Sequence, residues 1–103
     1  MRDVRCLARA LVRWKSAEEG GRVSGPPTAP VYAATAVFVE GGQRTADHLS
    51  ILLQDLGGLE DGRLCAVDFL VRELAAPHLV VGGELLVMEG PKVVATARVI
   101  EAR

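Results

Sequence analysis

Val4-Arg5-Cys6-Leu7-Ala8-Arg9-Ala10-Leu11-Val12-Arg13-Trp14 carries the clearest two-residue period in the chain. Its residues alternate. Val4, Cys6, Ala8, Ala10, Val12 and Trp14 fall on one face, and Arg5, Leu7, Arg9, Leu11 and Arg13 on the other. Period two is the signature of a strand with one buried face. A helix is the competing reading, because Val4, Leu7, Leu11 and Trp14 also fit helical spacing and would leave Arg5, Arg9 and Arg13 as a basic stripe. The strand is preferred.

After Trp14 the pattern breaks. Glu18-Glu19-Gly20-Gly21-Arg22 runs into Gly25-Pro26-Pro27 and Pro30, a density of Gly and Pro that neither regular structure tolerates. Residues 31–39, 48–54 and 64–71 are apolar, β-rich runs set apart by Gly41-Gly42, Gly57-Gly58 and Asp61-Gly62. Leu79-Val80-Val81 precedes Gly82-Gly83, and two runs, 84–89 and 92–100, flank Gly90-Pro91. A two-residue hairpin loop needs a primed turn to match strand twist. Type II′ requires positive φ only at its first central position, which suits Gly90 and leaves Pro91 its negative φ. A tight hairpin is therefore expected there. Six short strands with frequent turns and no long helix predict an all-β fold, a small barrel or sandwich.

Size and composition set the outer bounds. The chain has 103 residues, half of them hydrophobic and 24% charged, which suits one domain with its own core. Only four residues are aromatic, so that core must rest on Val, Leu and Ala. The net charge of −1 provides no global field for nucleic acid or an anionic membrane. The basic residues Arg2, Arg5, Arg9, Arg13 and Lys15 nevertheless crowd the start. Two cysteines far apart, Cys6 and Cys65, suggest reduced thiols in a reducing compartment rather than a disulfide scaffold. No apolar run is long enough for a signal or a membrane span. The expectation is a soluble cytoplasmic protein with no membrane partner.

Two pieces stand out together: Glu19-Gly20-Gly21-Arg22 after the first strand, and the closing segment Gly83 to Ile100 with its Glu89-Gly90 turn and the run Val94 to Val99. Both resemble the C-terminal β-barrel domain of translation elongation factor Tu, in which a strand leads into a Glu-Gly-Gly-Arg loop and the domain closes in a glycine-containing hairpin. Gly62 followed by the run Leu64–Val71 is similar to that family's glycine turn and next strand. The resemblance spans essentially the whole chain in order. It implies a closed six-stranded antiparallel barrel. In the family this barrel helps grip the tRNA T-stem backbone and contacts the exchange factor. Here Arg22 keeps the loop arginine and Gly90 the hairpin glycine. The family's next histidine is Val23, its Gly-Tyr-Arg-Pro-Gln run is Pro26-Pro27-Thr28-Ala29-Pro30, and the second glycine and the arginine of the hairpin are Pro91 and Lys92. The chain has no GxxxxGK[ST] loop, so nucleotide binding and hydrolysis do not carry over.

Cys6, Cys65, His48 and His78 lack the close pairing of structural zinc ligands, and no metal or cofactor is expected. Asp47, His48 and Ser50 match a serine triad only in composition, since neighbours on a strand face opposite ways. Arg5, Arg9 and Arg13 repeat every four residues, about 13 Å along a strand, and with Lys15 and Arg22 would make a phosphate-binding stripe or a solubilising face. The loop 18–30, with Pro26 and Pro27 and with Trp14 and Tyr32 beside it, is the leading interaction candidate. The resulting expectation is a non-catalytic binding module with an unknown protein partner, its binding residues drawn from Arg5, Arg9, Arg13, Arg22, Pro26, Pro27, Gly90 and Lys92. An RNA-binding accessory of translation is the alternative, and a small enzyme is a third reading that no motif supports.

Overall fold

The computed structural model describes residues 5–103. Among these residues, seven strands form one sheet: β1 (Ala8–Trp14), β2 (Val31–Glu40), β3 (Gln43–Arg44), β4 (Leu49–Leu59), β5 (Gly62–Phe69), β6 (Glu84–Glu89) and β7 (Lys92–Ala102). A one-turn helix α1 (Arg72–Ala75) and a 3₁₀ turn (Ala76–His78) lie between β5 and β6. All pairings are antiparallel. The order is β2-β4-β5-β1-β7-β6, and β6 pairs back onto β2 through Thr35↔Met88 to Val39↔Glu84. That last ladder closes a six-stranded barrel, and β3 is a short addition beside β2 at Val39 and Glu40. Closure removes nearly all free sheet edges.

The alternation at 8–14 holds. Ala8, Ala10 and Val12 are buried while Arg9, Leu11 and Arg13 face outward. The strand is shorter than its pattern. Arg5, Cys6 and Leu7 lie outside it, and Val4, like Arg2, falls outside the described residues. Arg5 leaves the ladder because its backbone N–H donates to Asp68 Oδ2 at 3.0 Å. Cys6 is accordingly half-buried rather than packed inside, with its Sγ donating to the Ala8 carbonyl.

Two further boundaries differ from expectation. Gly57-Gly58 does not end the third long strand, which runs on to Leu59. The register shifts between Asp55 and Gly57, so the extra residue is absorbed as a bulge, for which glycine is well suited. At the other side, β5 stops at Phe69, and Leu70 and Val71 lead into α1. The hairpin at Gly90-Pro91 forms as expected. Glu89 pairs with Lys92 across a two-residue loop, and Gly90 has a φ of +61°.

The interior is built from small and branched residues, with Phe38, Phe69, Ile51 and Leu85 as the largest fully buried side chains. One end of the barrel is plugged. Phe38 stacks on Phe69 at 5.6 Å between centroids and on His78 at 4.7 Å, and His78 Nδ1 lies 2.9 Å from Glu40 Oε2. Asp68 is the single buried charged residue among those described. Its carboxylate accepts from the N–H groups of Arg5 and Phe69 and from the Arg72 guanidinium at 3.0 and 3.2 Å. It thereby ties the residues before β1 and the start of α1 to one point on β5. No helix among the described residues is long and apolar enough to cross a membrane.

Candidate functional site

The opposite end of the barrel is open. Inward positions recur every second residue along each strand, and near this end the inward rows cease to be aliphatic. Trp14 on β1, Tyr32 on β2, Asp55 on β4 and Arg63 on β5 line a cleft of about 270 Å³, with Leu53 and Cys65 beneath them. The loop that follows β1 completes the wall with Pro26, Pro27, Thr28 and Ala29. The cleft is thus the mouth of the barrel, roofed on one side by the proline segment. Trp14 and Tyr32 meet edge to face at 5.2 Å between centroids, a favoured aromatic geometry that holds both rings in place.

The Glu-Gly-Gly-Arg loop positions that wall. Ser16 N–H donates to Glu19 Oε1 and Glu19 N–H donates to Ser16 Oγ, a reciprocal pair like a helix capping box. These bonds hold the Glu19 carboxyl below the ordinary glutamate value, with Lys15 and Arg13 nearby adding to the effect. Gly21 is buried against the backbone of Lys15, where any Cβ would collide with the Lys15 carbonyl. The turn is then tight enough to return Arg22 over the Tyr32 ring, 5.4 Å from its centroid, and onto Glu89, with Nε 3.1 Å from Oε2. Tyr32 donates its hydroxyl hydrogen to the same Glu89 oxygen. Burial, and then the Glu89 hydrogen bond, raise the tyrosine pKa, so the hydroxyl remains a donor.

Asp55 and Arg63 form a two-pronged ion pair at the rim, with both contacts at 2.8 Å. The guanidinium bonds hold the Asp55 carboxyl below its ordinary value, and the same bonds raise Arg63. Below them, burial pushes the Cys65 thiol up to about 11, so it sits in the cleft as a neutral thiol.

The residues singled out from sequence separate into two groups. Arg22, Pro26, Pro27, Gly90 and Lys92 converge on this end: the prolines in the cleft wall, Gly90 and Lys92 in the hairpin whose Glu89 anchors Arg22 and Tyr32. Arg5, Arg9 and Arg13 do not form a continuous free stripe. Arg5 precedes β1 at the plugged end, Arg9 lies 3.9 Å from Glu101, and Arg13 borders an outer depression of about 390 Å³ whose lining also includes Asp61, Glu84 and Arg98. Among the described residues no three His, Cys, Asp or Glu side chains are placed to hold a metal ion. Asp47, His48 and Ser50 are all exposed.

Sequence reasoning missed Asp55, Arg63 and Glu89. A signal for the first two was present: carrying the inward parity of β4 and β5 up to their turn places a carboxylate and a guanidinium where the apolar row ends. Glu89 had no such signal, since its partners come from positions 57 and 67 residues away. No family model, curated protein or solved structure matches the chain.

Proposed function

We propose that this chain is a non-catalytic binding module, cytoplasmic and resembling the C-terminal barrel of elongation factor Tu, that engages a protein partner through the barrel mouth. The observation that supports this reading is the meeting of Trp14, Tyr32, Pro26 and Pro27 in one half-open cleft. Aromatic side chains with a polar rim are the usual anchors of protein interfaces, because they bury large area at little entropic cost. The proline wall and the edge-to-face aromatic pair are already ordered, so a partner meets a formed site. The titratable groups in the cleft favour binding over chemistry: a protonated thiol, a tyrosine fixed as a donor, and a carboxylate neutralised by arginine.

Protein is favoured over RNA by how the arginines are engaged. Arg22 and Arg9 each face a glutamate, and phosphate contacts need cations free to replace counterions. The test is affinity capture from native lysate, with and without ribonuclease, comparing the natural chain with Pro27→Ser, Arg63→Glu and Arg13→Glu, each first shown to be folded by circular dichroism. A ribonuclease-resistant partner lost from the first two variants supports the proposal. A partner that ribonuclease removes and that Arg13→Glu also loses favours RNA. A partner indifferent to both cleft variants overturns the choice of site.

A further inference from the structure

Closing the barrel leaves one length of strand without a neighbour among the described residues. β4 pairs with β2 only as far as Val31↔Gln54, yet it continues to Leu59, paired on its β5 side alone. β2 does not extend along the open side. Continuing the register would set Pro30 opposite Asp55, and proline has no N–H to add to a ladder. Residues Leu56–Leu59 therefore present a free edge about 13 Å long beside the cleft. Leu56 and Leu59 are 45% and 46% exposed. This stretch continues the surface that begins at Asp55 on the cleft rim.

Charge narrows the choice of occupant. Asp55 is neutralised by Arg63, but Glu60 and Asp61 at the turn have no ion-pair partner among the described residues. A second copy, added antiparallel with Leu56 opposite Leu59, would set the already neutralised Asp55–Arg63 pair against Glu60 and leave the turn acids without a free cation. A basic strand would meet the opposite sign.

We infer that Leu56–Leu59 of β4 is a strand-addition site for an extended, lysine- or arginine-bearing peptide segment of the partner, whose neighbouring apolar side chain enters the Trp14–Tyr32 cleft. Main-chain hydrogen bonds to the edge supply affinity, and the cleft and the turn acids supply selectivity. The inference rests on the proposed binding role of the cleft and specifies how the partner is held.

The experiment uses the full chain and random dodecapeptides displayed on phage, selected against the natural protein and counter-selected on Trp14→Ala. The enriched sequences are then synthesised with single N-methylations along their backbones. Strand addition predicts enrichment of basic residues around an alternating apolar core. It predicts that N-methylation at every second position weakens binding about tenfold while the intervening positions tolerate it, because alternate N–H groups face the edge. It also predicts slowed amide exchange at Leu56–Leu59 and an affinity loss of about tenfold in the Glu60→Lys/Asp61→Lys double variant. Peptides that shift the Trp14 and Tyr32 resonances but show no alternating methylation pattern overturn strand addition and leave the cleft reading standing. Failure to enrich any peptide over the counter-selected variant overturns both. Slowed exchange at Leu56–Leu59 that grows with protein concentration and no peptide identifies a second copy as the occupant, which also overturns the inference.

Discussion

Replacing Asp68 by asparagine preserves shape and removes only charge and one acceptor, which makes it a sharp probe of the buried anchor on β5. In the natural chain Oδ1 accepts from Phe69 N–H and Arg72 Nε, and Oδ2 accepts from Arg5 N–H and Arg72 Nη2. Asparagine turns one oxygen into an NH₂ group facing two donors. Either orientation loses two hydrogen bonds, one of them to a guanidinium. A hydrogen bond to a charged group contributes about 1.5–3 kcal/mol and an ordinary one about 1 kcal/mol. Arg72 is 43% exposed, so its freed charge returns to water and the full cost of stranding a buried ion does not apply. The expected loss is therefore about 2–3 kcal/mol, a large part of a domain stability of about 5–15 kcal/mol. Urea unfolding followed by the fluorescence of Trp14, the one tryptophan, should show a lower midpoint at unchanged slope. Acid titration adds a second readout. Burial alone would raise the Asp68 pKa, but the Arg72 pair and the Arg5 and Phe69 N–H groups together hold it below the ordinary aspartate value of 3.8. A depressed carboxylate contributes stability above its unfolded pKa and loses it as pH falls through the folded one. The natural chain should thus lose stability below about pH 4, and the asparagine variant should lack that component. A loss smaller than about 0.5 kcal/mol, or identical acid profiles, would refute this account of the anchor.

Three further outcomes follow from the geometry. Gly21→Ala should cost about 2 kcal/mol or more, since the loop must move away from Lys15, and NMR should show the Arg22 side chain displaced from Tyr32; an unchanged urea midpoint would contradict the packing. Iodoacetamide at mildly alkaline pH should leave Cys65 unmodified until urea unfolds the chain, read by mass spectrometry of the digest; rapid labelling in the native state would contradict a buried, protonated thiol. Arg63→Met should leave the urea midpoint nearly unchanged, because its pair with Asp55 is close to half exposed, while weakening any cleft ligand; a large drop in the midpoint would move the pair from the site to the scaffold.

Much of the barrel was legible because its strands obey rules that operate locally. Alternation at 8–14 marked β1 and its inward face, and Gly90-Pro91 fixed the β6–β7 hairpin through backbone torsions alone. Gly57-Gly58 misled because glycine both ends strands and builds bulges, and the choice is made by the partner strand. The helix at 72–75 is a single turn, too short to express a period. The site was legible in parts. Pro26, Pro27, Trp14 and Tyr32 declared themselves as loop and aromatic residues, but their convergence depends on barrel closure, a long-range event. Alternation placed Arg9 and Arg13 on the outer face of β1, whereas the pairing of Arg22 with Glu89 comes through register and no sequence proximity announces it.

The pairing order also bears on how the chain emerges from a ribosome. β1 appears first, yet its neighbours are β5, which begins at Gly62, and β7, which runs from Lys92 to Ala102. The hairpins β4–β5 and β6–β7 can zip locally, whereas β1 must wait with its apolar face uncovered until both are available. Until β5 and β7 are both made, β1 has two unpaired edges, a state in which aggregation competes with folding. Arg9 and Arg13 on the outward face of β1 give such a waiting strand charge, the feature by which exposed strands resist pairing with other chains.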